Sequence, residues 1–513
     1  MYKIAIDVGG TNTDAVLCKD DGLVIKKVKI NTTKDIQSGI EQAIQEIIKD
    51  LPININEIKY AMLGTTQCTN AIIERKKLEK VSVIRLATGC TQAIVPFFDW
   101  PEDLKKVTKE ASIITDGGYE YDGQILGEIN LAEIENFIKQ SKTKNFAISC
   151  VYSPLKTEQE KKVLEFIKEK IPDANVSISS EIGSLSLLER ENATILNSAL
   201  KNVIKQVSSG FEQGLQKVGI KNIPLYICQN DGTIMSLDYA LNHPILTISS
   251  GPTNSIRGGA KLVNKKDAII VDIGGTTTDI GALVNSLARE SQGTTNIGGV
   301  DSNFRMPDMI SLGLGGGTIV CLNDEDFTIG PDSVGHNLVK EALCFGGSTL
   351  TLTDVAKRLG RTEIGSSDIT SSLSLELAQK IDAEVNQKIL NSIDIMKTNN
   401  QAIDVILVGG GSIILNPDIF TYDTLNIPNN HNVANAIGAS IVQVSGSHEG
   451  VFSMKNKNPE TQVNKALELA KLNALKSGAI KETLEVVDIE KIPLSYHPEE
   501  AYVIKTKVIG KLN

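Results

Sequence analysis

The sequence has no apolar run approaching the roughly 20 residues that cross a bilayer, so no membrane-spanning helix is expected. It has no basic stripe, and its net charge of −10 argues against bulk nucleic-acid binding. Seven cysteines (Cys18, Cys68, Cys90, Cys150, Cys228, Cys321 and Cys344) are scattered without a CxxC pair. That gives no reason to expect a zinc site and fits a reducing, cytoplasmic setting. Five histidines form no HExxH-like metal pattern. Low-complexity segments and short-period repeats are missing. The opening "MYKIAIDVGG" lacks a basic stretch followed by a long apolar one, so it reads as a first strand rather than a signal peptide.

What remains is a 513-residue chain, 41% apolar and 22% charged, ordinary for a soluble globular protein of about two to four domains. Its 42 glycines cluster in short loops. "KIAIDVGG" alternates and stops at Gly-Gly, and "DAVLCKDDGLVIKKVKI" contains a turn at Asp20-Asp21-Gly22. Ile36, Ile40, Ile44, Ile47 and Leu51 recur at helical spacing. "YAMLGTTQCTNAIIERK" reads as strand, small-residue turn and short helix, and "KVSVIRLATG" and "NFAISCVY" as buried strands. Thr157 and Glu160 have capping-box spacing, and a long helical stretch is expected from about Leu185 to Val218. This strand–helix rhythm predicts an α/β fold with largely parallel central strands. From about Gly446 an Ala/Lys/Leu helix and two strands suggest a small α+β appendage. The expected division is 1–180, 181–445 and 446–513.

One line is written twice. "IDVGGTNTDAV" begins at Ile6 and "VDIGGTTTDIG" at Val271, in the same register and 265 positions apart. In each copy an apolar strand delivers an acid, Asp7 or Asp272, to its tip. Two glycines then allow a tight turn and close approach of backbone N–H groups to an anion. The threonines add hydroxyl donors. An acid at the strand tip suits Mg²⁺, which keeps several waters when it meets phosphate. Two copies in one register predict two similar domains, each gripping the phosphates of one nucleotide from its own side.

These motifs resemble the phosphate-1 and phosphate-2 loops of the actin/sugar-kinase/heat-shock-protein-70 superfamily. "SSGPTNSIRGGAKL" and "NVANAIGAS" resemble its two small-residue connecting helices, and "VILVGGGSIILNP" its adenosine loop. Together with "LGTTQCTNAIIERK", "SSEIGSLSLLERENATILNSAL", "ICQNDGTIMS", "MPDMISLGLGGGTIV" and "LTLTDVAKRLGR", they make the chain similar to the hydantoinase A/oxoprolinase family across its length. The resemblance implies an actin-like ATPase fold of two similar α/β domains around a nucleotide cleft. It also implies ATP-dependent opening of a cyclic amide, such as a hydantoin or 5-oxoproline, by phosphorylating the carbonyl oxygen. A B-type partner, as a separate subunit or a fused segment, and a homo- or hetero-oligomer are implied as well. A ketone-carboxylase subunit, a small-molecule kinase and a nucleotide-responsive regulatory protein with little turnover are the alternatives. The chain departs from the family at Leu63, where a His is common, at "GPTNS", around "GPDSVGHNLVKEALCFGG", and in a shorter C-terminal end.

Asp7 and Asp272 are the candidates for organising Mg²⁺ and phosphates. Asp14 and Asp279 are candidates to assist metal binding, orient the loop or stabilise the second hairpin strand. Gly9, Gly10, Thr11, Thr13, Gly274, Gly275, Thr276 and Thr278 are the phosphate-loop candidates, and Gly409, Gly410 and Gly411 the adenosine-loop ones. Gly64, Thr65, Thr66, Asn70, Gln229, Asn230 and Asp231 are candidates for the substrate side. "LGLGGGTIV", with Gly313, Gly315, Gly316 and Gly317, lacks a dinucleotide fingerprint and reads as a second anion or substrate loop, with Asp308 nearby. Cys68 has no paired His to activate it. Arg75 and Arg190 read as ion-pair residues.

Overall fold

The computed structural model describes the chain except for residues 1, 10, 11, 21, 32–35, 52, 292, 324–325, 367, 370–371, 455–457, 495–499 and 513. Two of the sequence candidates, Gly10 and Thr11, lie outside the described residues.

Tyr2–Val8 and Asn12–Lys19 form an antiparallel hairpin, with Asp7 opposite Asp14. Ile58–Thr65 joins it in parallel, placing Gly64 beside Asp7. The same unit recurs later. Ala268–Ile273 and Thr278–Val284 form a hairpin with Asp272 opposite Asp279, and Asp404–Val408 joins in parallel with Val408 beside Asp272. Even the turn bonds repeat: Gly9 N–H donates to the Asn12 carbonyl (3.0 Å) and Gly274 N–H to the Thr277 carbonyl (2.8 Å). Both arrangements follow from near-continuous apolar strands that can be buried on both faces, ended by residues that allow the chain to turn.

Each unit is the heart of a larger sheet. The second sheet has six strands, all contributed by residues 268–426. The first has nine and cuts across the expected divisions at 180 and 445. Leu225–Cys228 and Ile234–Ser236 belong to it, as do Val444–Ser453, Ala501–Gly510 and Glu485–Pro493. The α+β character expected after Gly446 is present, but these strands widen the first sheet rather than standing apart. Helix Pro459–Lys476 lies so close to them that a Cβ on Gly446 would sit 2.1 Å from Ala474 N. A third, four-stranded parallel sheet is built from residues 81–178.

Helix Ile36–Ile48 buries Ile40, Ile44 and Ile47, as their spacing predicts. The long helical stretch is two helices, Leu187–Ala199 and Lys201–Lys217, adjoining at Leu200. The first is buried from Arg190 onward and places polar side chains against the third sheet. Arg190 reaches the carbonyls of Cys150, Ser184, Leu185 and Ser186, while Glu191 pairs with Arg85 and accepts from Ser149. Arg75 forms the ordinary ion pair, 2.9 Å from Asp103. The capping box at Thr157 does not form. Glu160 turns inward, accepting from Ser179 Oγ and Ser180 N–H, because that buried junction offers donors the helix end lacks.

Helix Ser250–Val263 lies between the first two sheets and crosses helix Ala434–Ala439. A Cβ on Gly258 would fall 1.8 Å from the Ala434 carbonyl oxygen, and one on Gly438 would fall 1.8 Å from that of Asn254. Only glycine permits this mutual approach.

Candidate functional site

The two hairpin turns face each other across a cleft of about 160 Å³. Of the sequence candidates, Gly9, Asp272, Gly274, Gly275, Thr276, Asp279, Gly409 and Gly410 line it. So do Asn12, Asp14, Lys29, Ser255, Thr277, His431, Asn432, Ala434 and Asn435; of these only Asp14 is itself a sequence candidate, though most lie within the quoted motifs.

Asp7 is buried just beneath the surface. Its Oδ1 accepts from Asn254 Nδ2 (3.2 Å) and its Oδ2 from Asn435 Nδ2 (3.0 Å). The same Asn435 amide donates to Asp14 Oδ2 at 2.9 Å. Each of the two crossing helices therefore hands one amide to Asp7. The next residue along, Ser255, lines the cleft with Asp272, and its hydroxyl opposes the rise of that carboxyl's pKa. Asp279 accepts from the Thr277 hydroxyl at 3.3 Å. Burial, reinforced by the neighbouring Asp14 charge, pushes the Asp7 carboxyl up to about 6 despite its amide partners. Burial pushes Asp279 up to about 6, against the hydrogen bond from Ser311 and with help from Asp272. Asp14 and Asp272 are also raised by burial, with Lys29 opposing the rise in each.

The glycines divide by task. A Cβ on Gly64 would lie 2.1 Å from Asp7 Oδ1, and one on Gly409 would lie 2.3 Å from Asp272 Oδ1. These two make room for the acids. Gly316 N–H donates to the Gly274 carbonyl (3.0 Å) and Gly317 N–H to that of Gly275 (2.7 Å). Trans peptide geometry then turns the N–H groups of Gly275 and Thr276 away from that backing segment, and both residues line the cleft. A Cβ on Gly315 would sit 2.5 Å from Thr276 N. The segment 313–317, expected as a second anion or substrate loop, thus backs the phosphate loop from behind. Gly411 donates to the Ile273 carbonyl from the same side.

Several expected contacts point elsewhere. Thr13 and Thr278 are fully buried, and the Thr278 hydroxyl donates to the Leu314 carbonyl at 2.6 Å. Strand alternation turns both inward, away from the cleft. Asn230 spends its amide on the Arg305 carbonyl, and Gln229 folds back on Thr233. Asp231 is held by Lys507, Thr233 and Ser445. Asp308 pairs with Arg289 at 2.8 Å. Thr65 accepts from Gln67 N–H; Thr66 is bonded to the Val8 carbonyl and accepts from Asn70. Thr66 and Asn70 are half-buried and are not among the residues lining the cleft. Cys68 is buried, with its thiol pushed up to about 12, so it is no nucleophile at neutral pH.

Among the described residues, no group of three or more His, Cys, Asp or Glu is placed to cage a metal directly. None of their helices is long and apolar enough to cross a membrane.

The model of the hydantoinase/oxoprolinase N-terminal region matches residues 3–171, and that of hydantoinase/oxoprolinase matches residues 190–393. The chain belongs to the hydantoinase/oxoprolinase family. Both acid–glycine hairpins fall within those family segments. Caprolactamase subunit alpha of Pseudomonas jessenii is 25% identical over 457 residues, covering 80% of this chain and 62% of its own. A crystal structure of that organism's ATP-dependent caprolactamase superposes with a TM-score of 0.78 at 20% identity, over 100% of this chain and 88% of the other. The 5-oxoprolinase of Saccharomyces cerevisiae is 24% identical over 413 residues, 70% of this chain and 32% of its own. Nucleotide-free acetone carboxylase shares the fold, with a TM-score of 0.68 at 15% identity over 100% of this chain and 88% of the other. The chain spans less than two thirds of the length of these curated family members, 62% in the case of the caprolactamase subunit. The fold is α/β with two similar hairpin units, shared with the caprolactamase and acetone carboxylase structures.

Proposed function

We propose that this chain is the ATP-using part of a cyclic-amide hydrolase, acting on a lactam of the hydantoin, 5-oxoproline or caprolactam type. The observation that carries the reading is the duplicated hairpin. Two acid–glycine turns of the same register face one cleft, with Gly275 and Thr276 lining it. An amide carbonyl is a poor electrophile, and phosphorylating its oxygen turns that oxygen into a leaving group. The protein's contribution to such a reaction is positioning and charge compensation.

The donor set fits Mg²⁺ held through water. Four carboxylates meet at the cleft, Asp7 and Asp14 buried and Asp272 and Asp279 half-buried, and no complete protein cage occurs among the described residues. Asp7 and Asp272 would hold the ion, which when bound neutralises charge on the phosphates. Asn254 and Asn435 fix the Asp7 carboxylate between two donors, and Ser255 favours the charged form of Asp272. Gly409 and Gly410 lie where an adenosine moiety would rest. The turn after Gly64, which pairs beside Asp7, is the side we assign to the lactam carbonyl. A B-type subunit is the expected partner for completing ring opening.

The test is an ATPase assay with Mg²⁺, using the chain alone and with a B-type partner, against lactams, ketones and bicarbonate. Lactam-stimulated turnover supports the reading. Bicarbonate-dependent turnover of ketones would reassign the chain to a carboxylase, and a stable phosphorylated product to a kinase. Absence of nucleotide affinity in both forms would remove the reading altogether.

A further inference from the structure

Lys29 lies on strand Val24–Asn31, outside every motif in the sequence, yet its ammonium reaches into the cleft. It is 3.2 Å from Asp14 Oδ1 and donates to the Asn432 carbonyl at 3.2 Å. A Cβ on Gly410 would lie 3.8 Å from its Nζ, so it stands over the candidate adenosine loop. Its charge acts on Asp14 in the first hairpin and on Asp272 in the second. Lys27, two residues back on the same strand face, donates to Asn430 Oδ1 at 2.8 Å. Together the pair ties this strand to the 430–432 segment and aims Lys29.

The charge balance of the cleft is one-sided. Asp14, Asp272 and Asp279 line it and Asp7 lies beneath, while Lys29 is the one lysine or arginine among the described residues lining it. A nucleotide polyphosphate adds several more negative charges in the same space. Its side chain is 34% exposed, so it is free to turn from Asp14 towards an entering anion. We infer that Lys29 is a further binding residue of this site, the cation that contacts the nucleotide's phosphates. This rests on the nucleotide reading above.

The test is calorimetric binding of ATP, ADP and adenosine to the full chain carrying Lys29→Met, Lys29→Arg, or Lys29→Met with Asp14→Asn. Each variant is first checked for an unchanged circular dichroism spectrum. Lys29→Met should weaken ATP about 10- to 100-fold, the worth of a charge-assisted hydrogen bond, and leave adenosine within a few-fold. Lys29→Arg should recover most of the loss. Lys29→Met/Asp14→Asn should remain weak, because the phosphate contact is still missing. Equal ATP affinity in wild type and Lys29→Met overturns the inference, as does full recovery in the double variant, which would reduce Lys29 to a counter-ion for Asp14. No ATP binding by the wild type would instead bring down the nucleotide reading, and this inference with it.

Discussion

Asp7 carries a buried carboxylate hemmed in by a backbone and two amides. Its raised pKa has a definite sign. The folded state keeps a proton there in a window, from about 4 to about 6, where the unfolded chain has lost it. Stability from this group is therefore present at low pH and lost as pH rises through that window. Ligand-free Asp7→Asn should flatten this fall in a thermal-denaturation series from pH 4 to 7 while abolishing turnover. A melting profile parallel to wild type would contradict the assigned burial. Gly64→Ala should also lose turnover, since its Cβ would displace Asp7 Oδ1 from 2.1 Å away. Thr278→Val behaves differently. It leaves the Leu314 carbonyl without its donor and should cost about 1–3 kcal/mol of stability, with ATP affinity unchanged. A selective loss of ATP affinity in Thr278→Val would restore its hydroxyl to the phosphate site. At this scale the sequence showed the acids and glycines because the motif repeats them. Lys29, Asn254 and Asn435 stayed hidden, because their partners lie 15 to 428 positions away and no local pattern records such a meeting.

Among the elements, the two crossing helices set the geometry between the halves. Small residues in "SSGPTNSIRGGAKL" and "NVANAIGAS" announced close packing, but not which residues would touch. Gly258→Val should separate the helices, lowering stability by about 1–3 kcal/mol or more. It should weaken ATP binding too, because Asn254 and Asn435 travel with those helices. Calorimetry and an ATP titration check both, and normal ATP affinity in a folded variant would show that the amides do not depend on this crossing. The hairpins themselves were legible, since alternation and glycine turns are local. The third sheet and the nine-strand order were not. Periodicity reports which face of a strand is buried, not which distant strand lies beside it.

For the whole molecule, Lys507 is a buried tie between the sheets. It lies on the last strand of the first sheet, 3.0 Å from Asp231 in that sheet's 228–234 turn, and hydrogen-bonded to Glu290, which follows the second sheet's Leu287–Ala288 strand. The ammonium holds both carboxyls below the usual range, against the burial that would raise them. Their stabilisation is present above the ordinary carboxylate pKa and lost as pH falls through the depressed values. Lys507→Met leaves buried Asp231 without its cation and half-buried Glu290 with only Arg305, and should cost about 3–5 kcal/mol at neutral pH, measured by denaturant unfolding. The loss should shrink in acid; an equal loss at all pH values would argue against the pairing.

The interleaving of the first sheet has a consequence for how the molecule is made. As the chain emerges from the ribosome, every strand of the second sheet is out once Asn426 has appeared. The first sheet begins with Tyr2 but reaches full width only when Gly510 is released. The later-encoded half can thus settle while the earlier one still waits, an inversion of the usual N-terminal-first order of synthesis.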